Sequence, residues 1–286
     1  MFVPQIGILM AGKDFFVRFW GVRGSLPSPG PDTVEFGGNT PCVEIRCGDR
    51  VLVFDAGSGI HPLGNKLVSE GVNRLDLFFT HTHYDHIGGL PFFGPFYSEE
   101  TTINIWSGHV DDDETTTKQM VKSFMSPPFF PVPPEIFKAR VGYHDFAPGN
   151  QFDLPGGIII KTVALNHPGG SMGYRVDFDG RSICYITDTE HVPGQPDQAI
   201  LDLIQGANIM IYDATYCDTE FEHFVGFGHS TWQEGIRLCE AAGVEHYCIF
   251  HHRPSHDDAM MKKIEQEAKA LFPNAVAVRE GMQLTP

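Results

Sequence analysis

The chain has 286 residues, 42% of them hydrophobic and 20% charged, the proportions of a globular protein long enough to bury a substantial core. Its formal net charge is −16; nucleic-acid binders need a basic footprint, so a small anionic substrate is expected as partner and a long nucleic acid is not. No apolar run reaches the roughly 18–20 residues that span a bilayer, so no membrane partner is expected, and six cysteines without a CxxC pair point to reduced thiols in a cytoplasmic protein rather than a zinc knuckle.

The opening MFVPQIGILMAGKDFF lacks a basic segment ahead of its interrupted apolar run. It reads as a leader or first strand rather than a signal peptide, with Met10 as an alternative start. Val17 to Trp20 is extended and leads into GVRGSLPSPGPDTVEFGGNT, a loop rich in glycine and proline. VEIRCGDRVLVFDAG predicts a hairpin turning at Gly48-Asp49, with VLVF as a buried strand ending at Asp55. LDLFFT, residues 75–80, is a second strand of that kind, and FTHTHYDHIGGLP sits at its C-terminal end, the usual place for sites in α/β sheets.

Residues 92–150 differ in texture. TTINIW predicts a strand, DETTTKQMVKSFM a helix and SPPFFPVPPEIF an extended segment. Within a single domain over 1–286 this stretch reads as insertion-like, either a lid whose aromatics stack on a base or an apolar contact of a homodimer. The two are compatible, and the interface is preferred. GGIIIKTVAL, GYRVDFDGRSICYITD and ANIMIYDAT predict further strands, and Trp232–Ala242 and Asp258–Leu271 have helical spacing. The expected fold class is therefore α/β, with two mixed sheets faced by helices.

His81, His83, Asp85 and His86 crowd into six residues. Side chains at i and i+2 of a strand point the same way, so His81 and His83 suit one metal, while Asp85 and His86 follow the turn and suit a second. A dinuclear site needs more ligands. His167 follows KTVALN, Asp188 follows SICYIT and His251 follows YCIF; each stands after an apolar strand, and Asp188 suits a bridging role. His252 is a rival to His251.

These residues resemble the HxHxDH motif of the metallo-β-lactamase superfamily, with its distant His, Asp and His, over about Phe16 to Arg279. The resemblance implies a four-layer αββα sandwich. It implies one metal on His81, His83 and His167, another on Asp85, His86 and His251, and Asp188 bridging them together with a hydroxide. Asp55 in FDAGSG corresponds to the aspartate that orients ligands from behind. Two divalent ions are expected, zinc first, with manganese or iron as alternatives.

ANIMIYDATY and GHSTWQEGIRLCEAAGVEHYCIFHH resemble segments of the tRNase Z-like phosphodiesterases. That likeness implies His229 as an acid that protonates the leaving oxygen, Asp213 as its orienter and Asp85 at the reacting centre. Alternatively, His229 only neighbours a helix cap at Ser230 or Thr231. The family has glutamate at position 213, so the shorter reach of Asp213 is a departure. The long arm that holds tRNA in some members is missing, since only a plain hairpin separates His167 from Asp188. The opening loop resembles that of small-molecule phosphodiesterases, including cyclic-nucleotide ones. Arg253 and Arg23 are the substrate-binding candidates, Arg23 being equally suited to a structural salt bridge. The expected activity is hydrolysis of a small phosphodiester, cyclic nucleotides included. Alternatives are a thioester or lactone hydrolase of the same fold, or a non-catalytic sensor.

Overall fold

The computed structural model describes residues 14–109 and 115–286. The expected leader up to Lys13, and the start of the helix expected from Asp113, lie outside the described residues.

Among the described residues, fourteen strands form two seven-stranded sheets. The first sheet is built from β1 (Phe15–Gly21), β2 (Cys42–Cys47), β3 (Arg50–Phe54), β4 (Arg74–Phe78), β5 (Thr102–Ser107) and β6 (Arg140–Asp145). The second runs through β7 (Gln151–Leu154), β8 (Ile158–Leu165), β9 (Ser171–Phe178), β10 (Arg181–Ile186), β11 (Ile209–Asp213), β12 (His246–Phe250) and β13 (Ala275–Ala277). The chain then returns to the first sheet as β14 (Gln283–Leu284), at the edge beside β1. Both sheets are mixed. Parallel pairing joins β3 to β6 in the first and β10 to β13 in the second, and the remaining neighbours are antiparallel.

Burial follows the sequence pattern. In FFVRFWG of β1, Phe15, Val17 and Phe19 alternate inward, as a half-buried strand requires. IMIYD of β11 is buried on both faces, as central parallel strands are. Between the sheets lies an aromatic-rich core, with Phe54 stacked on Phe78 at 5.1 Å and edge-on to Tyr174 at 5.3 Å. Helices α1 (Ile60–Ser69), α2 (Tyr84–Ile87) and α3 (Thr117–Phe124) belong to the first half of the chain, and a second core lies among α1, β3–β5 and the outer turns. Helices α4 (Gln198–Ile204), α5 (Asp218–Phe221), α6 (Trp232–Ala242) and α7 (Asp258–Leu271) belong to the second half, where α4, α6 and α7 close a third core against the second sheet. The result is the expected αββα sandwich.

Residues 92–150 are woven into the first sheet by β5 and β6, and their aromatic segment wraps its outer side, with Phe96 stacked on Phe137 at 4.1 Å. Among the described residues no helix is long and apolar enough to cross a membrane.

Candidate metal centre

The C-terminal ends of β3, β4, β8, β10, β11 and β12 deliver Asp55, the 81–86 motif, His167, Asp188, Asp213 and His251 to one place. After β4 the chain extends through His83 and then turns into the single turn α2, which carries Asp85 and His86. Three of these residues bend sharply where their strands stop. Asp55, Asp188 and His251 have φ of 63°, 57° and 60°, a left-handed conformation that side-chain-bearing residues avoid unless the surroundings impose it. Ser25, with φ of 60°, joins them: its amide donates to Asp85 Oδ2 at 2.8 Å.

Two groups of ligand atoms match the expected pair of metal positions: His81, His83 and His167 form one, and Asp85, His86, Asp188 and His251 the other; a third, Asp188, Asp213, His229 and His251, overlaps the second. His167 Nε2 lies 3.0 Å from His83 Nδ1. Asp188 faces both groups, with Oδ1 3.8 Å from His81 Nε2 and Oδ2 3.1 Å from His86 Nε2 and 3.4 Å from His251 Nε2. His81 Nε2 and His86 Nε2 are buried yet make no hydrogen bond of acceptable geometry within the described residues. Buried polar atoms are normally satisfied, so nitrogens left bare and aimed at carboxylates fit a pair of divalent cations. A dinuclear histidine–aspartate metal-binding cluster is present.

The carboxylates and His81 take the charge that use requires; at His86 burial opposes the charge but Asp188, Asp85 and Asp55 push the imidazole's pKa well up, so a metal would have to displace its proton. Burial works against the Asp188 carboxylate, but His251, His86 and His81 hold it well below its ordinary range. Asp85 is likewise held down by His86 and His251 against the effect of its burial. Burial and then the neighbouring His86 push His81 towards the neutral imidazole that metals take as a ligand.

Behind the ligands stands a shell of oriented partners. Asp55 accepts from His86 Nδ1 at 2.8 Å, from the Thr80 amide at 2.8 Å and from the Tyr185 hydroxyl at 2.9 Å. The Thr80 hydroxyl also reaches His81 Nδ1 at 3.0 Å. His167 Nδ1 donates to the Gly228 carbonyl at 2.7 Å, and Thr215 Oγ1 sits 2.9 Å from His251 Nδ1. Each contact fixes which ring nitrogen faces the cluster. Sequence reasoning found Asp55 but missed Thr80, Tyr185 and Thr215; hydroxyls are common, and nothing in their local spacing marks them out. Gly24 and Gly228 also press close to the cluster: a Cβ on Gly24 would overlap the His251 ring, and one on Gly228 the His167 ring.

His229 Nδ1 is 2.8 Å from Asp213 Oδ2 and 3.7 Å from Asp188 Oδ1, so the shorter aspartate does reach. Burial pulls the His229 pKa down, yet the Asp213 charge and hydrogen bond outweigh it and hold the imidazole at about 9. Asp213 also accepts from the Asp188 amide at 3.1 Å and from the Thr215 hydroxyl at 2.8 Å. The cap of α6 is Thr231, whose hydroxyl accepts from the Glu234 amide, so His229 is left free of that duty.

His252 turns away from the cluster and places Nε2 2.8 Å from the Val278 carbonyl. Arg23 is also used elsewhere than at an anion. It is fully buried, and its guanidinium donates to the carbonyls of Gly37, Arg253 and His256 at 2.9, 3.1 and 2.6 Å. Neither of its expected uses, anion holding or a side-chain salt bridge, is what the geometry gives; its donors face main-chain oxygens. Arg253 is half-buried, over the Phe224 ring at 4.6 Å and 3.2 Å from Glu220.

The fold and the cluster together define a metal-dependent hydrolase. A family model described as a beta-lactamase superfamily domain matches residues 50–252, and the chain belongs to that superfamily. Ribonuclease Z of Brevibacillus brevis is 35% identical over 98 residues, covering 33% of this chain and only 29% of that protein. Ribonuclease Z of Thermoplasma volcanium is 25% identical over 309 residues, covering 93% of this chain and 96% of that protein. The solved structure of the metallo-beta-lactamase fold protein YhfI from Bacillus subtilis matches with a TM-score of 0.69 at 17% identity, over 96% of this chain and 100% of that one.

These relatives correct one expectation. Several that span most of the chain are named ribonuclease Z, which overturns the exclusion of a long nucleic acid as partner. The physical error lay in reading a local field from a total: the −16 charge counts every surface acid, whereas bound divalent cations are the largest local charges at such a site.

Proposed function

We propose that the chain is a phosphodiesterase, acting on a small diester such as a cyclic nucleotide. The observation that carries this reading is the His229–Asp213 pair at 2.8 Å, set against the metal-binding cluster. A phosphodiester expels a poor alkoxide, and a positioned imidazolium can protonate it; a thioester or lactone gains less from such a group.

His81, His83, Asp85, His86, His167, Asp188 and His251 would hold two divalent ions, which when bound would supply a water nucleophile at neutral pH and neutralise phosphoryl charge. The chain's own residues do the rest. Asp213 keeps Nδ1 of His229 engaged, so Nε2 is the atom left to give a proton. Asp55, Thr80 and Thr215 hold the ligand rings in orientation. The Ser25 amide steadies Asp85.

A second reading is cleavage of RNA, favoured by the ribonuclease Z names of relatives that cover nearly the whole chain. Both readings break a phosphodiester, and substrate size separates them. The test is turnover by protein reloaded with zinc or manganese, against bis(p-nitrophenyl) phosphate, 2′,3′- and 3′,5′-cyclic nucleotides, a 3′-extended RNA, a thioester and a lactone. Asp188→Ala is the control. Diester turnover that vanishes in the control is expected. Turnover of the thioester or lactone with silence on every diester would overturn the reading.

A further inference from the structure

Helix α2, Phe92 and the stretch 124–130 enclose a cleft of about 440 Å³ lined by Tyr84, Gly88, Phe92, Phe124, Phe129 and Phe130. We infer that this cleft is a substrate subsite for an uncharged planar ring, a nucleobase, joined to the phosphodiester held at the metal cluster; the assignment rests on the phosphodiesterase reading.

Position is the first argument. Tyr84 stands in sequence between His83 and Asp85, so its Cα lies about 3.8 Å from the Cα of each. The same single turn, α2, that places Asp85 and His86 in the cluster places Tyr84 in the cleft wall. A nucleotide that puts its phosphate at one end of this turn has its base within reach of the other.

Chemistry is the second. None of the six lining residues carries a charge, whereas the cluster that α2 also serves is made of carboxylates and imidazoles. The two halves therefore suit a ligand that is itself divided, anionic at the phosphorus and neutral and flat beyond the sugar. Tyr84 and Phe124 meet edge to face at 6.4 Å, and Phe92 and Phe130 do so at 6.1 Å. Such rings present faces to a third ring, and base stacking tolerates any base because every base has a π-face.

Exposure is the third. Phe129, Tyr84 and Phe92 are 85%, 69% and 59% exposed, so large apolar rings line the cleft in contact with water, with no covering element among the described residues. The cleft volume falls within the range of about 300–1,000 Å³ typical of small-molecule sites.

The test compares AMP with ribose 5-phosphate by calorimetry on the metal-loaded full chain, since the two differ by the base alone. AMP is expected to bind at least about tenfold tighter, as stacking energies imply. That advantage is expected to shrink to about twofold in Phe129→Ala and in Tyr84→Ala, with ribose 5-phosphate affinity and metal content unchanged. Phe129→Ala removes an exposed ring and leaves the fold alone, so a folding failure at Tyr84 does not void the test. Equal affinity for the two ligands, or an AMP advantage that survives both substitutions, overturns the inference. So does a dimer, seen by sedimentation, that Phe129→Ala dissociates while the AMP advantage stays. Because the readout is binding, a base preference without diester turnover would fault the phosphodiesterase reading and leave the subsite standing.

Discussion

Asp213 accepts hydrogen bonds from the Asp188 amide and the Thr215 hydroxyl while it holds His229. One carboxylate thus ties the candidate acid to the metal cluster. Asp213→Asn keeps its shape and removes its charge. We expect kcat for diesters with alkyl leaving groups to fall about 10²- to 10⁴-fold, the usual worth of general acid catalysis. For p-nitrophenyl leaving groups, which need no proton, the fall should stay within about tenfold. A leaving-group series on wild type and variant reads this directly, and an equal loss on both classes would return Asp213 to a purely structural role.

The glycines make a second prediction at this scale. A Cβ at Gly24 or Gly228 would press on a ligand ring, His251 or His167. Gly24→Ala and Gly228→Ala should therefore each lower the metal bound per chain by about one ion at limiting zinc, measured by elemental analysis. Circular dichroism should show the fold retained. That these histidines and aspartates gather in one cluster was legible in the sequence, because such residues are scarce enough after apolar strands to stand out. The threonines behind them were not, because contacts such as Thr80 to His81 and Thr215 to His251 are made by residues that any strand end can carry.

At the scale of elements, the loop from Gly21 to Thr40 is joined to the loop after β12 by backbone hydrogen bonds from Gly24 to His252 and from His252 to Val22, and by one side chain. Arg23 donates to Gly37, Arg253 and His256 carbonyls. Its removal leaves buried acceptors without donors, at about 1–3 kcal/mol each. With each of the three acceptors at the low end, about 3 kcal/mol in all, we expect Arg23→Met to lower Tm by roughly 6–12 °C, at about 2–4 °C per kcal/mol. Its KM for a small diester, taken well below Tm, should change less than about twofold; a raised KM with an unchanged Tm would restore Arg23 to anion binding.

Helices α6 and α7 were legible to the residue because their ends are marked. Thr231 and Asp257 cap the N-termini through their side chains, and Gly243 closes α6 in the left-handed conformation. Helix α1 was hidden by Pro62 and Gly64 in IHPLGNKLVS. The proline falls in the first turn, where its missing N–H has no partner to lose, and the glycine lets Phe93 and Gly94 approach. Strands β7 and β14 are short edge strands, and too few of their residues are buried to write an alternation into the sequence.

Across the whole molecule the metal-binding cluster is a seam. His81, His83, Asp85 and His86 follow β4 of the first sheet, whereas His167, Asp188 and His251 follow β8, β10 and β12 of the second. The two groups of ligands each draw on both sheets, so each bound ion cross-links them. Without ions, Asp85 after the first sheet and Asp188 after the second share one buried group, and their repulsion opposes closure. A ligand bound only by the folded state at about 1,000 times its Kd stabilises by about 4 kcal/mol. Chelation should therefore lower Tm by roughly 10 °C, and zinc at saturating concentration should restore it. Hydrogen exchange should localise the loss: protection should fall at the strand ends 79–89, 186–190 and 250–253 and hold in the middle of β2 and β9, which touch no ligand. Asp188→Ala, which removes the carboxylate shared by both groups, should lose most of the response to zinc. A Tm indifferent to chelator, in protein shown to carry two ions beforehand, would mean that the sheets close without them and that the ions serve chemistry alone.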